Sequence, residues 1–117
     1  MKINLAKNAL ADIINPDQKH TVTPDYIISI VADYFNITAA DIRSSVKSRK
    51  IAYPRQIAMY LIRQFLPLGY QDIATAVGSK NHTTIMHGCS KVETDYKTNE
   101  EVREMIDLLK KKISPQN

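Results

Sequence analysis

The chain has 117 residues, 44% of them hydrophobic, which is one domain's worth of sequence, able to bury a modest core without disulfides or a metal. Its lone cysteine, Cys89, excludes an internal disulfide and a multi-cysteine zinc site, and no apolar run approaches the ~20 residues needed to span a bilayer. The net charge is +4 and residues 41 to 80 hold seven lysines and arginines against two aspartates, +5, so the basic charge is concentrated in one stretch where phosphate contacts would be wanted.

Residues 4 to 14 place Leu5, Ala9 and Ile13, with Leu10 and Ile14, at helical spacing, and Pro16 ends the run. The polar, proline-bounded segment after it reads as a hinge. Residues 1 to 20 are therefore expected to form a linker helix and hinge ahead of a domain over residues 21 to 117. Neither a signal-peptide core nor any other address is evident, and the cytoplasm is the expected compartment. Thr23 is positioned to cap a helix that has Pro24 first and Ile27, Ile30, Val31, Tyr34 and Phe35 on its buried face, ending near Asn36. Thr38 can open a single turn through Ile42.

From Arg43 to Tyr53, serines and cations interrupt the helical period, and this segment reads as a basic loop. Pro54 then starts a helix whose Ile57, Tyr60, Leu61 and Phe65 point inward. Arg55, Met59 and Arg63 fall at steps of four along another face of it. That stripe continues the loop's basic surface and could track a phosphate backbone.

Residues 69 to 96 read as two helices joined by a tight turn. The first runs from about Tyr70 to Val77, with Ile73, Ala74 and Val77 inward and Gly78 as its stop. In the second, Ile85, Cys89, Val92 and Tyr96 recur at spacings of four, three and four, an apolar stripe that turns a polar face outward. That face carries Thr83, His87, Ser90, Lys91 and Thr94. Asn81, His82, Thr83 and Thr84 at the helix start are short donors and acceptors able to reach base edges. The same residues have a purely structural use, since Asn81 is a good N-cap and threonines tolerate a first turn.

Asn99 is a candidate cap for a last helix with acids first and Lys110, Lys111 and Lys112 last, an order that complements the helix dipole. Val102, Ile106, Leu109 and Ile113 form its apolar stripe. With no strand pattern or internal repeat, the expected architecture is all-α: a helical bundle containing a helix-turn-helix, preceded by a linker helix.

Catalytic chemistry leaves no trace in the motifs. Gly69, Gly78 and Gly88 belong to no phosphate-cradling loop, and His82 and His87 lie five apart with no carboxylate at metalloprotease spacing. Cys89 and His87 point about opposite ways along a helix, so they make no nucleophile and base. Neither an enzyme nor a metal site is expected.

The stretches K-S-R-K-I-A-Y-P-R-Q-I-A-M-Y-L and G-S-K-N-H-T-T-I-M-H, at this separation, resemble the C-terminal DNA-binding domain of the bacterial chromosomal replication initiator DnaA. The likeness covers roughly residues 21 to 113, and residues 3 to 14 resemble the helix that links that family's AAA+ ATPase part to this domain. It implies that His82, Thr83 and Thr84 read bases in the major groove, with Asn81 and Met86 beside them. It also implies that Arg55 holds phosphate, with Arg63, Lys80 and Lys91 as further backbone candidates. Lys47 takes the place of an arginine that enters the minor groove, with Arg49 able to serve instead and Lys50 beside it. Lysine lacks the planar fork of arginine, and Asn81 stands where the family pattern has aspartate, so two departures fall on the reading surface.

The resemblance implies sequence-specific binding of double-stranded DNA at replication-origin boxes. With no obvious symmetric interface in the sequence, one monomer to a site is expected. No cofactor is expected in this chain, and ATP only where an upstream AAA+ domain exists. The alternative is a stand-alone helix-turn-helix regulator, of mobile-element origin, using the same surface. A third reading, a helical protein-interaction domain whose basic patch merely solvates it, predicts no duplex binding at moderate salt.

Overall fold

The computed structural model describes residues 22 to 114, and the expected linker helix and hinge therefore lie outside the described residues. Six helices follow one another: α1 (Pro24–Phe35), α2 (Ala39–Arg43), α3 (Arg49–Phe65), α4 (Tyr70–Ala76), α5 (His82–Thr98) and α6 (Glu100–Ile113). No strand occurs among the described residues, as the all-α reading requires. None of these helices is long and apolar enough to cross a membrane.

Capping chemistry sets most boundaries. Thr23 accepts from the Tyr26 amide with Pro24 at the first position, and α1 ends where Asn36 adopts φ 62, a left-handed conformation that asparagine tolerates. Thr38 and Asp41 exchange reciprocal bonds of 3.0 and 3.1 Å, a capping box that lets a five-residue helix exist. Asn99 accepts from the Val102 amide, and α6 runs from Glu100 and Glu101 to Lys110, Lys111 and Lys112 as the dipole prefers.

Two sequence expectations are corrected. The basic segment is a loop only over residues 44 to 48. Helix α3 starts at Arg49, five residues before Pro54, which sits inside the helix. Proline there removes the amide that would bond the Lys50 carbonyl, a cost offset because Pro54 and Ile51 are both buried in the bundle. In α1 the inward face is Ile27, Ile28, Val31 and Ala32, whereas Tyr34 is 41% exposed. Tyr34 instead stands edge-on to Phe35, with ring centroids 5.0 Å apart.

The core gathers Ile27, Ile28, Val31, Ile42, Ile57, Leu61, Ile62, Ile73, Ile85, Ile106 and Leu109, all at 0% exposure, so every helix contributes to one cluster. The most extensive pairing is α3 against α5. Its close approach depends on Gly88, where an added Cβ would come within 2.8 Å of Met59 Sδ and 3.2 Å of Gln56 Cγ. This contact seats the second helix of the turn motif on the helix that carries the basic segment.

Candidate nucleic-acid interface

The α4–α5 connection is built by local chemistry. Gly78 takes φ 76, the Ser79 amide donates to the Ala74 carbonyl at 2.8 Å, and Ser79 Oγ accepts from the Asn81 amide at 3.2 Å. A Cβ on Gly78 would collide with the Arg43 backbone carbonyl, so glycine is needed both for its conformation and for the space. Asn81 Oδ1 accepts from the Thr83 amide at 2.9 Å and starts α5. Ile85, Gly88, Cys89 and Val92 then face the core, and burial pushes the Cys89 thiol up to about 11, that of a protonated packing group at neutral pH. The opposite side is open: Asn81, His82, Thr83, Thr84, Met86, His87, Ser90, Lys91 and Thr94 are all exposed.

The arginines and lysines around this helix divide by use. Arg43 pairs with Asp25 at 2.6 Å and donates through Nε to the Ala76 carbonyl at the end of α4. Arg55 donates through Nε to the Ile42 carbonyl and through one terminal nitrogen to the Ser44 carbonyl, both at 2.7 Å, with the Asp41 carbonyl at 3.4 Å. Arg63 donates to the Leu68 carbonyl at 3.0 Å and stacks 4.2 Å over the Tyr70 ring. Each planar guanidinium bonds backbone carbonyls at a helix end or in the connection between helices, a job that suits its several donors in fixed directions. Met59, between Arg55 and Arg63, is 1% exposed, so these three do not make the continuous surface stripe that their spacing implied.

Lys47, Arg49, Lys50 and Lys80 are exposed. Arg49 and Lys50 form the first two positions of a 17-residue helix with no acid in its first turn and no side-chain cap from Ser48. Bare amides and two cations at a positive dipole end repel one another in the free protein and attract an anion. An open groove runs between the basic loop and the α4–α5 turn, lined by Ser45, Lys47, Arg55 and Gln56 together with Lys80 and Thr84. A second concavity brings Lys47, Arg49 and Gln56 to Lys91 of α5. Lys91 lies 3.4 Å from Asp95, whose same oxygen accepts from the Tyr53 hydroxyl at 2.8 Å. Burial, then that hydrogen bond, pushes Tyr53 up to about 12.

A family model described as bacterial dnaA protein helix-turn-helix matches residues 24–92, from α1 into the middle of α5. The chain belongs to the bacterial DnaA helix-turn-helix family. It is 49% identical over 111 residues to the chromosomal replication initiator protein DnaA of Lachnoclostridium phytofermentans, a match covering 95% of this chain and 24% of that protein. The chain thus spans about a quarter of the length of that DnaA relative.

Within this DnaA-type helix-turn-helix, the residues singled out from the sequence fall into three groups. His82, Thr83, Thr84 and Met86 sit together at the exposed start of α5, and Asn81 sits there too but spends its carbonyl oxygen on the cap. Lys47, Arg49, Lys80 and Lys91 line the concavities beside that start, with Lys50 exposed next to Arg49. Arg55 lines the groove as well but spends Nε and one terminal nitrogen on backbone carbonyls, and Arg63 is exposed yet bonded to the Leu68 carbonyl, uses that side-chain type and spacing alone do not reveal. Gln56, Tyr53 and Asp95 join the site without having been singled out. Gln56 stands in the P-R-Q motif itself, whereas the Tyr53–Asp95 contact spans 42 residues and leaves no local signal.

Proposed function

We propose that this chain binds double-stranded DNA sequence-specifically as the DNA-binding part of a bacterial replication initiator, in the cytoplasm, one copy to each origin site. In this reading the exposed start of α5 enters the major groove, where His82, Thr83, Thr84 and Met86 meet base edges. Lys47 reaches into the adjacent minor groove, and Arg49, Lys50, Lys80 and Lys91 lie along phosphates. The single observation that supports it most is the open groove in which the basic loop faces Lys80 and Thr84 at the helix-turn-helix. A convex protein helix alone would serve many partners. A base-reading helix start with cations across a groove from it suits a duplex, whose phosphates flank its base edges.

Four cations along phosphates, with Lys47 in the minor groove as a fifth charge against the duplex, predict that log K falls with log salt at a slope of about −4 to −5. Titration of a mixed-sequence duplex and of a duplex selected from a random pool, each at several salt concentrations, measures it. A nearly flat dependence, or equal affinity for both duplexes, overturns the reading.

A further inference from the structure

We infer that Arg55 is a positioning residue that sets the basic loop, and with it Lys47, rather than one of the phosphate-holding cations. The inference rests on the proposed DNA surface and concerns how that surface is made.

Loop 44 to 48 is short, polar and exposed beyond its first residue, and by itself would have many conformations. Both of its ends are fixed to α3. At the far end Ser48 starts the helix, and its carbonyl accepts from the Ile51 and Ala52 amides at 3.0 and 2.8 Å. At the near end the tether is Arg55, whose Nε and one terminal nitrogen take the Ile42, Ser44 and Asp41 carbonyls together. Ser44 passes the constraint on: its hydroxyl donates to the Asp41 carbonyl at 2.6 Å and accepts from the Val46 amide at 3.3 Å, next to Lys47. Arg55 thus closes the loop back onto the helix that packs against α5, fixing where Lys47 stands relative to the α5 start.

The chemistry distinguishes this from a phosphate contact. A phosphate is satisfied by charge, and lysine supplies charge. Three carbonyls facing one side chain from a helix C-terminus and the turn after it need donors in fixed directions, and an ammonium on a flexible stem does not span them. Two of the bonds are 2.7 Å long and partly buried, so the guanidinium edge that carries Nε cannot turn to DNA without leaving those carbonyls without their donors, and only the other terminal nitrogen is left to face the groove that Arg55 lines.

The test is a double-mutant cycle on the described domain together with its N-terminal residues, using duplexes with an A·T-rich or a G·C-rich flank. Binding of the parent chain to duplex DNA comes first, and its absence would reject the functional reading, not this inference. Given binding, Arg55→Lys and Arg55→Gln should weaken it alike, on the order of tenfold, and relax the flank preference. In a Lys47→Ala background Arg55→Gln should then add little, since there is no side chain left to position. If Arg55→Lys binds like the parent, or if Arg55→Gln and Lys47→Ala losses multiply and each lowers the salt slope by about 0.9, Arg55 is an independent phosphate contact and the inference is wrong. Amide exchange supplies a readout without DNA: in Arg55→Lys the Val46 and Lys47 amides should exchange faster while those of α6 are unchanged, and unaltered loop exchange overturns the proposal. Should the Arg55 variants fail to fold, Ser44→Gly loosens the same tether without touching a charge. It should relax the flank preference, and an intact preference contradicts the inference.

Discussion

The starts of α3 and α6 are opposites. At α6 every local rule is obeyed: Asn99 caps, Glu100 and Glu101 fill the first turn, and three lysines close the last. At α3 the rules are broken together, with no side-chain cap from Ser48, Arg49 and Lys50 against the dipole, and a proline inside the helix. Both helices are held by burial, α6 through Ile106, Leu109 and Ile113 and α3 through Ile57, Leu61 and Ile62. The contrast teaches that α6 obeys the preferences of a free helix while the first turn of α3 does not, which is what the proposed phosphate contacts of Arg49 and Lys50 would call for. Sites that violate local preference where the neighbouring core is sound are the ones to read as functional.

The comparison breaks most severely if the turn that presents α5 is distorted. Gly78→Ala forces φ 76 on a residue with a Cβ and drives that carbon into the Arg43 carbonyl, a predicted loss of about 3 kcal/mol of stability. Urea unfolding measures it. A loss below about 1 kcal/mol would show that the α4–α5 turn adjusts freely and that the placement of the α5 start is not fixed by this contact.

Two asparagine caps sharpen the comparison at an intermediate scale. Asn81 and Asn99 each accept from a helix amide, at 2.9 and 3.2 Å, so each should lose about 1 kcal/mol of stability on replacement by alanine. Only Asn81→Ala should also weaken duplex binding, as it lies at the exposed start of α5. If Asn99→Ala weakens binding equally, the effect travels through global stability and the α5 start has no special role. Selection from randomised duplexes on Asn81→Asp adds the chemistry: aspartate accepts from cytosine, whereas the asparagine amide can also donate to adenine. An unchanged preferred site would confine Asn81 to its cap.

How much of this could be read from sequence follows the range of the interactions. Thr23, Thr38, Asn81 and Asn99 act within three residues of themselves, and Gly78 within its own turn, so those boundaries were legible. The start of α3 was not, because proline and clustered cations are both local signals against a helix, and what overrides them is the burial of Ile51 and Pro54 in the folded chain. The polar face of α5 was legible from periodicity alone. The fate of the arginines was hidden, since Arg43 reaches Ala76 across 33 residues and Arg55 reaches Ile42 across 13, distances at which residue type says only that a cation is present.

The smallest expected stability change carries the most direct test. Lys50→Glu places an acid in the first turn of α3 and should raise stability by about 0.5 kcal/mol, while duplex binding should fall by more than tenfold, because the proposed phosphate contact would be lost and a repulsion gained. Lys111→Glu in the last turn of α6 should do the reverse, lowering stability by a similar amount and leaving binding within about twofold. Thermal unfolding and duplex titration of these two variants at one low salt concentration decide it. Opposite signs in the two measurements are what the account predicts. If Lys50→Glu lowers stability and leaves binding intact, the first turn of α3 is not arranged for DNA, and the account is contradicted.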